Sequence, residues 1–310
     1  MGKLRSPTFL IFLAFFSIYV IWGSTYLLNK IAVTELPPFM LASIRFITAG
    51  ILIFIIAYFM GSKLSVTRKQ LINSIIAGFL FLSFGNGVIV WALKYVDSSF
   101  AALESSAQPL VVLLLMRILE GKKIKAMSVV GVVLGMVGIF LLVSQKQFMN
   151  QEGTLLGMVM IFVCIISWAY GSLFVVKADL PPNFFVNTGY QMLSAGITLL
   201  VVSLLLGDEW TYPTQWSGKV QFSMIALVLF GSIVAFTAFN YLLRTVSPEK
   251  VATSTYVNPV IAMVLGWYFL EEQITTQSVI AASVLLIGVY FINTRKKRVM
   301  FSRFSRRIKP

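Results

Sequence analysis

Residues Phe100–Leu119 read FAALESSAQPLVVLLLMRIL. The stretch is long enough to cross a bilayer as a helix, yet Glu104, Ser105, Ser106, Gln108 and Pro109 crowd into its first half. Lys250–Leu270, KVATSTYVNPVIAMVLGWYFL, repeats the pattern: Thr253, Ser254, Thr255, Tyr256, Asn258 and Pro259 take the matching places, and the two prolines stand 150 residues apart in a chain of 310. Proline removes an amide donor and clashes with the turn before it. Lipid cannot satisfy the freed carbonyl, so both segments are expected to face protein or a water-filled cavity, with Pro109 and Pro259 as hinges.

The rest of the chain fits this reading. It is 58% hydrophobic and only 12% charged, far too apolar for a soluble domain. Apolar runs of membrane-spanning length number ten, at roughly 8–33, 39–60, 71–93, 99–119, 126–144, 153–176, 184–206, 220–243, 250–270 and 275–294. The first is longer than a signal-peptide core and holds Trp22 and Asn29, so it is read as a span. The single cysteine, Cys164, lies inside a span and cannot form an intramolecular disulfide. The chain has no histidine, which removes His-based metal sites, His proton relays and Ser-His or Cys-His nucleophile pairs.

The net charge of +14 is distributed as topology rather than as a nucleic-acid footprint. With the N-terminus in the cytoplasm and sides alternating, 20 Lys and Arg fall inside and 4 outside (Lys30, Lys94, Lys146, Lys219), with Arg45 left in the membrane. The positive-inside rule then puts both termini in the cytoplasm. The tail from 295 to 310, rich in Lys and Arg with Phe301, Phe304 and Ile308 between them, is read as a topological anchor.

The two halves repeat each other. YVIWGSTYLLNK (Tyr19–Lys30) is followed by the LPP turn at Pro37 and Pro38; SWAYGSLFVVK (Ser167–Lys177) is followed by LPP at Pro181 and Pro182, so Trp22 matches Trp168. Small residues sit mid-span at Thr48-Ala49-Gly50 and at Ser194-Ala195-Gly196. LEGKKI and LEEQI, at Leu119–Ile124 and Leu270–Ile274, precede the last run of each half. Gly131 and Gly135 carry a small-residue packing spacing. The units are therefore 1–147 and 148–294, five helices each. Five is odd, so the second unit enters the membrane from the opposite side. The expected fold is an all-α membrane protein of ten transmembrane helices in two inverted five-helix repeats, an architecture whose interrupted helices mark the binding site in carriers.

Five-plus-five helices, the Trp22-Gly23-Ser24-Thr25 segment, the LPP turns, the Arg45-Phe46 pair and paired proline helices followed by Leu-Glu resemble the EamA-type branch of the drug/metabolite transporter superfamily, over Phe9 to Asn293. The resemblance implies a central cavity and alternating access. Members export amino acids and related metabolites; others carry sugars, nucleotide sugars or vitamins.

The candidate substrate-binding residues follow from buried polarity. Glu104 is the only acidic residue well inside a span. It is either a proton-coupling group or ammonium partner, or half of a structural ion pair with Arg45. Here the chain departs from the family, in which a small or hydroxyl residue is common. Arg45 offers a bidentate fork to a substrate carboxylate, or snorkels, or pairs with Glu104. Trp22 and Trp168 lie near mid-membrane, where interfacial belts do not explain them; they are read as a stacking wall or as packing. Tyr26, Asn29, Gln108, Tyr170, Tyr190, Gln191, Asn240, Tyr256 and Asn258 complete the set. Asn86, between Gly85 and Gly87, is read as a kink or close-packing site. Lys30, Lys94, Lys177 and Arg244 are interfacial anchors or gate partners of Glu35, Asp97, Asp179 and Glu249.

No phosphate-binding loop, Cys/His cluster or set of catalytic groups stands in the sequence. The expectation is a secondary transporter of a small organic metabolite, such as an amino acid or similar amphipathic solute. It works without cofactor or metal, is not an enzyme, and exports across the inner membrane. An importer of a vitamin or sugar shares every feature, and a channel is the functionally distinct rival.

Overall fold

The computed structural model describes residues 7–121, 126–144 and 152–293. The basic tail, Lys122, Lys123, Lys125 and Lys146 lie outside the described residues. Among those described, all regular structure is helical, with no strand. Seven segments are long and apolar enough to span a membrane: Thr8–Ala32, Pro38–Phe59, Arg68–Ala92, Ser98–Glu120, Thr154–Lys177, Phe184–Leu205 and Gly218–Thr245. Shorter apolar helices complete the bundle.

In chain order α1 is Pro7–Ala32, α2 Pro38–Phe59, α3 Arg68–Gly78 and α4 Gly87–Ala92. Between α3 and α4 the backbone runs as π-helix over Phe79–Asn86, so the three form one continuous rod. α5 is Ser98–Ser105, α6 Gln108–Glu120, α7 Ala126–Val143, α8 Thr154–Lys177 and α9 Phe184–Leu205. α10 (Gly218–Ala226) and α11 (Ala235–Thr245) are joined by a second π segment, Leu227–Val234. α12 is Pro248–Val251, α13 Ser254–Leu270 and α14 Thr276–Asn293.

Local chemistry sets several of these ends. Thr67 and Gln70 exchange side-chain and backbone hydrogen bonds in a capping box at α3. The Asn183 carboxamide oxygen accepts from Phe185 N and Val186 N at α9. Gly121 ends α6 with φ 63°, the left-handed conformation glycine adopts without strain. Glu271 ends α13 with φ 56°, as a non-glycine residue.

The two prolines behave differently. Pro109 sits in the first turn of α6, after a break at Ser106-Ala107, where its missing N–H costs nothing. Pro259 lies inside α13.

α2 packs along α9, α7 along α14, α1 against α11 and α13, and α6 against α8. Two large apolar cores and a smaller one around Val112 and Leu173 result. One large core gathers Leu36, Leu93, Phe100, Ile161 and Leu227; the other gathers Phe46, Phe81, Met192, Phe236 and Phe239. Large apolar side chains such as Phe16, Phe59, Phe140, Leu205, Phe222 and Tyr268 stay exposed, as a lipid-facing surface requires.

Candidate functional site

Residues from both halves line a cavity in the middle of the bundle. Its wall includes Trp22, Thr25, Tyr26 and Asn29 of α1, Arg45 of α2, Asn86 and Ser232 of the π segments, Ser105 and Gln108 around the α5–α6 break, Cys164 and Trp168 of α8, and Asn258 of α13. The cavity volume is about 70 Å³, room for roughly two waters. A metabolite enters only if the helices part.

The π segments shape this wall. The π turns shift the backbone hydrogen bonding to i→i+5, and side chains from α1 and α8 donate further bonds to carbonyls there. Trp22 Nε1 donates to Gly231 O (3.2 Å), Ser167 Oγ to Leu80 O (2.8 Å), and Cys164 Sγ to Phe84 O (3.4 Å). Thus α1 serves the second π segment and α8 the first. Gly231 leaves room for its neighbours: a Cβ there would lie 2.8 Å from Thr25 Cγ2 and 3.2 Å from an Arg45 nitrogen, and both side chains would have to shift.

Arg45 is 3% exposed, so its guanidinium does not snorkel. Its Nε donates to Ser232 Oγ (2.8 Å), and Nη1 reaches Asn29 Oδ1 and Asn86 Oδ1, both at 3.4 Å. The guanidinium carbon sits 4.9 Å from the Phe46 ring centroid, a cation–π distance. The anticipated ion pair with Glu104 is absent among the described residues. Glu104 is buried on α5, and its Oε2 has no hydrogen-bond partner. It is not part of the cavity wall.

The tryptophans meet each other. Trp22 and Trp168 stand edge to face with centroids 5.7 Å apart, and Phe81, Phe236 and Phe239 close around them. Trp22, Trp168 and Phe236 of this cluster line the cavity. Asn240 lies further along α11 in a separate polar layer, where its Nδ2 donates to Thr188 Oγ1 (3.1 Å) and Gln191 Oε1 (3.0 Å). Gln191 Nε2 in turn donates to Asn187 Oδ1 at 3.1 Å. The Asn258 amide nitrogen, in the orientation its surroundings require, donates to Tyr19 O (2.9 Å), Ser254 O (3.0 Å) and Ile18 O (3.2 Å) and so binds α13 to α1.

The remaining candidates are scattered. Tyr170 is 45% exposed on the outer face of α8. Tyr190 donates to Leu64 O (3.0 Å) and packs edge to face on Phe54. Tyr256 is buried but does not reach the wall. Trp22, Tyr26, Asn29, Arg45, Gln108, Trp168 and Asn258 are brought together; Glu104, Tyr170, Tyr190, Gln191, Asn240 and Tyr256 are not. Sequence reasoning gave no site role to Thr25, Ser105, Gly231 and Ser232. The available signal was a small or amide residue beside glycine mid-span, Gly231-Ser232 and Gly85-Asn86.

At the end of the bundle holding Lys30, that residue's Nζ donates to Leu93 O and Val96 O, each at 2.8 Å. Glu35 Oε2 accepts from Ser217 N there (3.0 Å); hydrogen bonding from the Ser217 side chain foremost, then from this amide, holds the Glu35 carboxyl below its ordinary range. At the opposite end Lys177 pairs with Glu120 at 2.7 Å, not with Asp179 or Glu249. Asp179 instead accepts from Gln70 Nε2 (3.3 Å) and, through its carbonyl, from Asn73 Nδ2 (2.9 Å). Arg244 reaches Pro182 O (3.4 Å) and lies over the Phe184 ring.

Apolar helices around a small cavity lined from both halves are the arrangement expected of a membrane transporter. The comparisons with known proteins agree. The EamA-like transporter family matches this chain twice, over residues 8–144 and 155–294. The chain is 36% identical over 287 residues to the uncharacterized inner membrane transporter YedA of Escherichia coli K12, covering 92% of this chain and 91% of that one. It is 23% identical to the uncharacterized transporter YoaV of Bacillus subtilis, covering 92% and 96%. A solved crystal structure superposes with a TM-score of 0.70 at 18% identity, covering 91% of this chain and 96% of that one; it shares the fold. The chain therefore belongs to the EamA-like transporter family, a drug/metabolite transporter type of membrane protein.

Proposed function

We propose that this protein is a ten-helix secondary transporter that moves a small amphipathic organic metabolite across the inner membrane by alternating access, with export as the working direction. The observation that carries the reading is the shared cavity: Arg45 of the first half is held by Ser232 of the second, and Trp22 of the first half caps Gly231 of the second. Relative motion of the halves must remake these bonds, so the site and the motion are coupled. Packing supports an inverted repeat. α2 lies on α9 and α7 on α14, while α1 against α13 is mirrored by α8 against α6. Contacts exchanged in this way are what a pseudo-two-fold axis produces, and an odd number of spans per half puts that axis in the membrane plane. The charge count places both termini in the cytoplasm, making the Lys30 end external. Both ends are tied by side-chain bonds around a small cavity, which corresponds to an occluded state.

Glu104 is the proposed coupling group, because a buried carboxyl oxygen without a partner is a natural proton acceptor when an aqueous path opens. The test is flux of pooled labelled metabolites into proteoliposomes, with and without a pH gradient, for wild type and Glu104→Gln. Gradient-driven saturable flux in wild type alone supports carrier and coupling group together. Gradient-driven flux in both removes Glu104 from coupling. Absence of any saturable flux overturns the transporter reading.

A further inference from the structure

We infer that the cavity takes an organic monoanion, a monocarboxylate with an apolar body, in preference to a zwitterion or a cation, with Arg45 as the group that holds the carboxylate. The inference rests on the transport reading above and narrows it to a substrate class.

Three observations carry it. Arg45 is buried and in the cavity wall, yet its hydrogen-bond acceptors are all neutral: one hydroxyl at 2.8 Å and two carboxamide oxygens at the long distance of 3.4 Å. Among the described residues no carboxylate lies within ion-pair distance of it. A buried cation held by neutral acceptors alone leaves much of its desolvation cost uncompensated, and a carboxylate matches the guanidinium fork in geometry and charge. Second, the cavity wall contains no aspartate or glutamate. An ammonium group would bring a second buried positive charge beside Arg45 with no acid to meet it. Glu104, the one carboxyl that would serve an amino acid, sits buried outside the wall. Third, Trp22, Trp168 and Phe236 share the wall with Arg45 and pack on one another, an apolar surface that suits a ring or hydrocarbon body. One charged head and one apolar body define the class.

The test compares ligands of similar apolar body that differ in head group and charge. The quartets are 3-phenylpropionate, phenylalanine, phenethylamine and 3-phenylpropanamide, and hexanoate, norleucine, hexylamine and hexanamide. Binding to the full chain in lipid nanodiscs is read by tryptophan fluorescence, with Trp22 and Trp168 as reporters. The anion of at least one quartet should bind about tenfold or more tighter than its zwitterion and amide, the scale of a charge-assisted pair. Arg45→Gln should abolish that preference, and Arg45→Lys should restore part of it. A zwitterion that binds as tightly as its matching anion, or anions of both quartets that fail to bind, overturns the inference; so does an anion preference that survives in a folded Arg45→Gln protein. If Arg45→Gln does not fold, the wild-type order alone decides. Anion-selective binding without flux in proteoliposomes would sink the transporter reading and leave the ligand class standing; flux without anion preference would do the reverse.

Discussion

The Glu272 carboxylate clasps the start of α5: Oε1 accepts from Ser98 N (3.0 Å) and Ser98 Oγ (2.6 Å), while Oε2 accepts from Ser99 N (3.2 Å) and Ser99 Oγ (2.6 Å). Two elements 173 residues apart in sequence are joined by four bonds to one side chain. The left-handed turn at Glu271 folds the chain back so that Glu272 N bonds Gly266 O at 3.2 Å. Gly266 leaves the notch the carboxylate occupies, since a Cβ there would collide with it. An anion at free helix amides is favoured by their dipoles.

This clasp ties the two halves together at the end of the bundle holding Lys30, and it is expected to act as a latch on the cavity. Glu272→Gln replaces one acceptor by a donor that faces donors, so closure weakens by about 1.5–3 kcal/mol, the worth of a charged hydrogen bond. Cys164, the native cysteine of the cavity wall, reports the effect. Its modification by a membrane-impermeant thiol reagent in right-side-out vesicles should speed up by roughly ten- to a hundredfold. Unchanged labelling would show that the latch does not control access.

Trp22 has a structural duty apart from any substrate. Trp22→Phe keeps an aromatic ring but leaves Gly231 O in the π segment without its donor, at a cost of about 1–3 kcal/mol. The check is thermal unfolding in detergent. A melting temperature equal to wild type would mean that the carbonyl finds another partner.

Asn240 and Gln191 form a polar layer that must be satisfied as a unit. Asn240→Ala and Gln191→Ala should each destabilise by about 1–3 kcal/mol, since the first leaves Gln191 Oε1 without its donor and the second takes one of the two acceptors of Asn240 Nδ2. The double variant should cost less than the sum, by roughly 0.5–3 kcal/mol of coupling. Strict additivity in the double-mutant cycle would contradict a shared network.

Asp97 gives the latch region a pH dependence. Burial foremost, then the Glu272 charge, push its carboxyl above the ordinary range, with Lys30 pulling the other way. A raised carboxyl binds its proton more tightly in the folded protein. Its contribution to stability is therefore full below the unfolded value of about 3.9 and declines as pH rises through the folded one. Asp97→Asn should be neutral or stabilising by up to about 1 kcal/mol at pH values above that window and indistinguishable from wild type below it. Melting at the two extremes decides; destabilisation at high pH would show that attraction to Lys30 outweighs burial.

Much of this molecule is legible in its sequence because the bilayer restricts the choices. Apolar runs of spanning length must be helices, since lipid leaves no other way to satisfy the backbone. Matching motifs, Trp22 with Trp168 and LPP with LPP, give the internal repeat directly, and buried polarity singles out Arg45, Asn29 and Gln108 before any coordinate is known. Tertiary structure decided what those residues do. A π segment has no periodicity signature in eight residues of apolar sequence, so the carbonyls that Trp22 and Ser167 cap could not be foreseen. Arg45 and Glu104 look like a pair along the chain, yet packing sets one in the cavity wall and the other behind it. Glu272 reads as one more charge in a polar loop; only the approach of α13 to α5 turns it into a latch. Sequence registers which groups are costly to bury. Which partner meets each of them depends on distances between helices far apart in the chain, and packing alone sets those.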